Sequence, residues 1–158
     1  MTKSYQLRAV RIVKSRSRET TCFTGTLYAI EKKIADLDND GDGGPNLVFP
    51  VKGCEADVAA FYEWCRGLPG HVAPWDPTKS ISMDSDFWIS LRVQEHEREQ
   101  DVNRLLSTRI LYESGGKVLQ SKVLKAPERE RLLAAPLPAG CRVLTDAQEV
   151  MRLLYPAD

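Results

Sequence analysis

From residue 5 to residue 51 the chain alternates short β-patterned segments with turn clusters, and this constrains the fold more than any other feature. Residues 5–14 alternate Leu7, Ala9, Arg11 and Val13 with Arg8, Val10 and Ile12, which is a strand with apolar weight on both faces. A polar connection, KSRSRE, leads to a second strand over 21–30, rich in Thr, Phe and Tyr. A turn at Glu31-Lys32-Lys33 precedes a third strand over 33–38, and the loop DNDGDGGPN precedes a fourth over 47–51. Hairpin-linked strands of this kind form an antiparallel meander, whose apolar face needs a helix or second sheet to cover it. The segment 56–68 supplies one, with Val58, Phe61, Tyr62, Trp64 and Cys65 at helical spacing and Gly67 and Pro69-Gly70 as the stop.

The remainder reads as a helical half. Pro74 and Pro77 flank Trp75 in a connection over 71–82. A long helix follows over 84–107, opened by Asp84 or Ser85, with Phe87, Trp88 and Leu91 starting its apolar side. Its middle, QEHEREQD at 94–101, has no apolar residue and must face water or a partner. Ser114-Gly115-Gly116 joins strands over 108–113 and 117–124 into a hairpin. Pro127 opens a short helix to 134, residues 141–144 form a small strand, and Thr145 with Gln148 makes a capping box for a last helix to 154. The fold class is α+β: an N-terminal antiparallel β-meander covered by a helix (1–70), a Pro-containing linker (71–82), and a long helix, β-hairpin and short C-terminal helices (83–158) packed on the first part as one unit.

Composition narrows the function. Apolar residues make up 42% and charged residues 28%, a globular rather than disordered balance. Lys and Arg total 22 against 22 Asp and Glu, so no global field draws the chain to nucleic acid or membrane. The N-terminus lacks the apolar core of an export signal, and no stretch spans a bilayer, which leads to the expectation of a cytoplasmic protein. Cys22, Cys54, Cys65 and Cys141 show no CxxC or zinc spacing, and in that compartment they read as free thiols. Two histidines, His71 and His96, exclude a three-His zinc site, and GxSxG, GxxxxGK[ST] and GxGxxG are all absent.

Four constellations carry chemistry. Asp36, Asp38, Asp40 and Asp42 around Gly41 match the first half of a calcium loop, D-x-D-x-D-G, and present hard oxygen ligands suited to Ca or Mg; the twelfth position is Leu47, not the bidentate Glu, so a solvated hairpin turn competes, and no cofactor is expected. Lys3, Arg8, Arg11, Lys14, Arg16 and Arg18 form a basic N-terminal cluster that can track phosphates, although strict alternation separates Arg8 and Lys14 from Arg11. Glu95, Glu97, Glu99 and Asp101 give the polar helix segment a net negative charge suited to a basic, nucleic-acid-handling partner. Trp75 and Trp88, among the aromatics crowded between 61 and 88, are candidate anchors for a partner protein.

FTGTLYAIEKKIADLDNDGDGGPN, with Lys32-Lys33-Ile34-Ala35 and the Asp40–Gly44 turn, resembles small uncharacterised phage- and plasmid-borne proteins, as does LLSTRILYESGGK later in the chain. The resemblance brings no chemistry with it. It implies a mobile-element setting, where small non-catalytic proteins act by binding host or defence machinery. The expected function is therefore that of a protein-binding accessory factor, an inhibitor of a host defence or nucleic-acid-handling complex, in contact with a host protein or nucleoprotein complex and not with membrane. The first alternative is a nucleic-acid-binding protein using the basic cluster, and the second a metal-dependent enzyme centred on the aspartate loop.

Overall fold

The computed structural model describes residues 4–73 and 76–156. They form an α+β structure of two compact units, one ending at Glu95 and the next starting at His96. Among the described residues no helix is long and apolar enough to cross a membrane.

The first unit is built on four strands, β1 (Tyr5–Ile12), β2 (Phe23–Ala29), β3 (Lys32–Asn39) and β4 (Leu47–Pro50), antiparallel in the order β1-β2-β3-β4. This is the expected meander. The inner face carries Phe23, Leu27, Ala35 and Leu37, all almost fully buried. Helix α1 (Glu55–Arg66) buries Val58, Phe61 and Cys65, which recur at steps of three and four and so form one stripe. Its first turn is tied to the sheet by the Lys32 ammonium, 2.7 Å from the Asp57 carboxylate. Gly67 ends the helix. Residues 71–82, read from sequence as a connection, contain a short antiparallel ribbon of β5 (His71–Ala73) and β6 (Asp76–Ile81).

Helix α2 (Ser85–Thr108) begins where the Asp84 carboxylate accepts a hydrogen bond from the Phe87 amide at 2.8 Å. It stays helical through 94–101 because the backbone ladder needs no apolar side chain once both ends are anchored. Trp88, Ile89 and Val93 are buried in the core of the first unit, and Val102 in that of the second.

In the second unit, β7 (Leu111–Ser114) lies between β8 (Lys117–Gln120) and β9 (Cys141–Leu144), all antiparallel. Gly115 and Gly116 take φ of 57° and 77°, as the tight β7–β8 turn demands. Helix α4 (Ala147–Leu154) packs Val150 and Met151 with Val102, Leu111 and Leu144. Its cap is Asp146, whose carboxylate accepts from the Gln148 amide at 3.0 Å, and not Thr145 as the capping-box pattern suggested. Helix α3 (Ala126–Leu133) buries no residue; Arg129 tethers it by donating to the Leu106 carbonyl at 2.7 Å. The Arg142 guanidinium links Glu113 on β7 to Glu149 on α4, at 3.1 and 2.6 Å.

Candidate functional site: the outer face of the N-terminal sheet

One irregularity in β1 decides which side chains share the exposed face of the sheet. Arg8 pairs with Thr26 and Arg11 with Thr24, so three steps along β1 match two along β2. The extra residue is a β-bulge, with Ala9 at φ 52°. A bulge shifts side-chain parity by one. Tyr5, Leu7, Val10 and Ile12 therefore all turn inward, while Gln6, Arg8 and Arg11 share the outer face. The strict alternation expected from sequence, which separated Arg8 from Arg11, is corrected by this bulge.

Following the registers across the sheet gives rows on that outer face. The first row runs Arg11, Thr24, Asp38, Leu47, and the second Arg8, Thr26, Asp36, Phe49. A third runs Gln6, Tyr28, Lys33. The face thus passes from cationic on β1, through hydroxyls on β2, to anionic on β3 and apolar on β4. Phe49 is 53% exposed and Leu47 45%. Four apolar residues in a row, Leu47 to Pro50, cannot all be buried by a sheet covered on one side. That pattern was the available signal for Leu47 and Phe49, which sequence reasoning passed over. Both edges of the sheet are blunted: the bulge at Ala9 interrupts β1, and Pro50 removes a donor from β4.

The basic cluster does not form a free cationic patch. The Arg8 guanidinium is held by Glu31 at 3.0 and 3.1 Å and lies 4.4 Å from the centre of the Tyr28 ring. Hydrogen bonding to Glu31 raises the Arg8 pKa, and the same bond lowers that of Glu31. Arg18 pairs with Asp42 at 3.3 Å. Lys14 and Arg16 form a 3-10 turn beyond β1, and Lys3 lies outside the described residues.

The four aspartates are likewise dispersed. Asp36 pairs with Lys33 at 2.7 Å, Asp42 with Arg18, and Asp40 accepts a hydrogen bond from the Asp42 amide at 3.0 Å. Asp38 stands on the outer sheet face. Among the described residues no group of three or more His, Cys, Asp or Glu side chains converges as a cation site. What organises the loop is Asn39, a buried polar residue absent from the sequence reading. Its amide oxygen accepts from the Thr20 hydroxyl and the Gly41 amide, and its amide nitrogen donates to the Gly44 carbonyl and the Asn46 side chain.

The acidic helix segment is not one face. At about 100° per residue, Glu95 and Glu99 lie on one side of α2, and Glu97 and Asp101 on nearly the opposite side. Arg92 pairs with Glu95 at 2.7 Å and Arg104 with Asp101 at 3.1 Å. Glu97 is also engaged. The expectation of a single acidic recognition face is corrected by this geometry. Trp88 is corrected too: it is 6% exposed and meets Phe61 and Trp64 edge-on at 5.3 and 5.7 Å, so it builds the core rather than greeting a partner. Trp75 lies outside the described residues.

No protein-family model matches the chain, and no curated protein or solved structure matches it.

Proposed function

We propose that this chain is a non-catalytic, protein-binding accessory factor that recognises protein through the outer face of its N-terminal sheet. The observation that carries the reading is the second row, in which exposed Phe49 stands beside Asp36, with Arg8 two strands further on. A surface that interleaves both charge signs with an exposed aromatic ring suits a protein partner. It does not suit a polyanion, because Asp36 and Asp38 would repel phosphates drawn to Arg8 and Arg11. The mobile-element setting and the inhibition of a host defence or nucleic-acid-handling complex rest on the resemblance described above, and the cytoplasmic location on the charge and hydropathy pattern of the sequence.

The test is a photo-crosslinking residue placed at Phe49, and separately at Glu99, in the full chain expressed in bacterial cells. Protein adducts from position 49 and none from position 99 are expected. Nuclease-sensitive adducts would overturn the reading. So would duplex binding tighter than about micromolar at physiological salt that disappears in Arg11→Glu with Arg16→Glu, which would establish the nucleic-acid alternative.

A further inference from the structure

Arg11 and Asp38 occupy one cross-strand row, separated by Thr24, and neither joins an ion pair among the described residues. Two strand spacings put their backbones about 10 Å apart. Each is a charge on an open face whose complement stands nearby but is held away by the sheet itself. Resting on the protein-binding reading above, we propose that the occupant of this face is a second copy of the chain, docked about a two-fold axis lying along β2.

The register makes the face self-complementary about that strand. Such an axis carries β1 of one copy over β3 of the other. Arg11 then faces Asp38, Arg8 faces Asp36, and Gln6 faces Lys33, because these are the residues that share rows across β2. Thr24, Thr26 and Tyr28 meet their own counterparts along the axis. Symmetry gives two Arg11–Asp38 contacts per dimer. Without the bulge at Ala9, Arg11 would turn to the inner face and the pairing would vanish. Leu47 and Phe49 stand on β4, one strand outside the three that overlap about this axis, and stay exposed.

Size sets the strength. Three overlapping strands about 4.8 Å apart, carrying three rows about 7 Å apart, cover a few hundred Å². A stable interface buries about 800 Å² per partner, so this is a weak, concentration-dependent dimer. Its charge pairs are near the surface, and salt weakens it.

The experiment is sedimentation equilibrium of the full chain up to about millimolar concentration, at low and physiological salt. Wild type is expected to dimerise, more weakly at higher salt. Arg11→Glu alone and Asp38→Arg alone each place like charges face to face at two sites, and each should weaken the dimer by about tenfold or more. An equimolar mixture of these two variants should form a heterodimer as tight as wild type, because each bad contact then becomes a good one. The doubly substituted chain should self-associate again for the same reason. Both positions are on the exposed face, and unchanged melting curves exclude misfolding as the cause. A wild type that stays monomeric throughout, or single variants that do not recover on mixing, would overturn the second-copy proposal. If position-49 crosslinks then still reach a protein of foreign mass, the protein-binding reading survives; if they reach none, that reading falls as well.

Discussion

The Asn39 side-chain oxygen accepts a hydrogen bond from the Gly41 amide at 2.9 Å, and this contact folds the aspartate loop back onto the end of β3. Gly41 in turn offers its carbonyl to the amides of Arg18, Glu19 and Thr20 at 3.0–3.3 Å. Two loops far apart in sequence are locked together through this pair.

Asn39→Ala should therefore cost stability, because it removes two donors and a two-fold acceptor at a buried site and strands the Gly41 amide. A loss of about 2–3 kcal/mol is expected from urea unfolding. Gly41→Ala should be at least as damaging, since its φ is 86° and an added Cβ would strike the Arg16 carbonyl oxygen. A wild-type midpoint in either variant would show that the loop is not a structural lock.

Tyr5 and Trp88 separate packing from polarity in one core. The Tyr5 hydroxyl is buried without a hydrogen-bond partner among the described residues, and burial raises its pKa. Tyr5→Phe should be neutral or stabilise by up to about 1 kcal/mol. Trp88→Ala removes a ring packed against Phe61 and Trp64 and should cost about 3–5 kcal/mol. Equal losses from both would mean that the Tyr5 hydroxyl is satisfied in solution.

Cys65 should be inert to thiol reagents in the native protein. It is fully buried, and burial pushes its pKa up to about 12. At pH 8 its thiolate is about one part in ten thousand, four pH units below that value. Cys141 is only partly buried and should be alkylated first. Mass spectrometry of a timed iodoacetamide reaction checks the order, with Cys65 labelled only after unfolding.

Neutralising the polar helix segment should leave the fold intact. The four-site variant Glu95→Gln, Glu97→Gln, Glu99→Gln, Asp101→Asn loses the Arg92–Glu95 and Arg104–Asp101 pairs. Pairs three residues apart on a helix surface contribute about 0.3–0.5 kcal/mol each. A total loss below about 1 kcal/mol is expected by calorimetry, and the position-49 crosslinks should persist. Loss of those crosslinks would return the helix to the binding surface.

Calcium should not stabilise the protein. Lys33 and Arg18 already neutralise Asp36 and Asp42. Saturation of a true site at about 100 times its dissociation constant would add roughly 2.7 kcal/mol. A melting shift of that size, abolished by Asp38→Asn with Asp40→Asn, would restore the metal-site reading.

Local signals in the sequence determined the elements. Turn clusters at Glu31, at Asp40–Gly44 and at Gly115-Gly116, together with spacings of two or of three and four, placed the meander, α1, α2 and the C-terminal hairpin, because hydrogen bonding within a helix or across a tight turn depends on near neighbours. The faces were decided by tertiary structure. Nothing in the identity of Ala9 announces a left-handed bulge, yet that one residue moves Arg11 to the outside and Val10 to the inside, since side-chain period in a strand is two and any insertion inverts it. The same holds for partners. Whether Arg8 meets Glu31, whether Trp88 is core or anchor, and whether four aspartates converge or disperse depend on cross-strand register and helix packing, which join residues the sequence keeps apart.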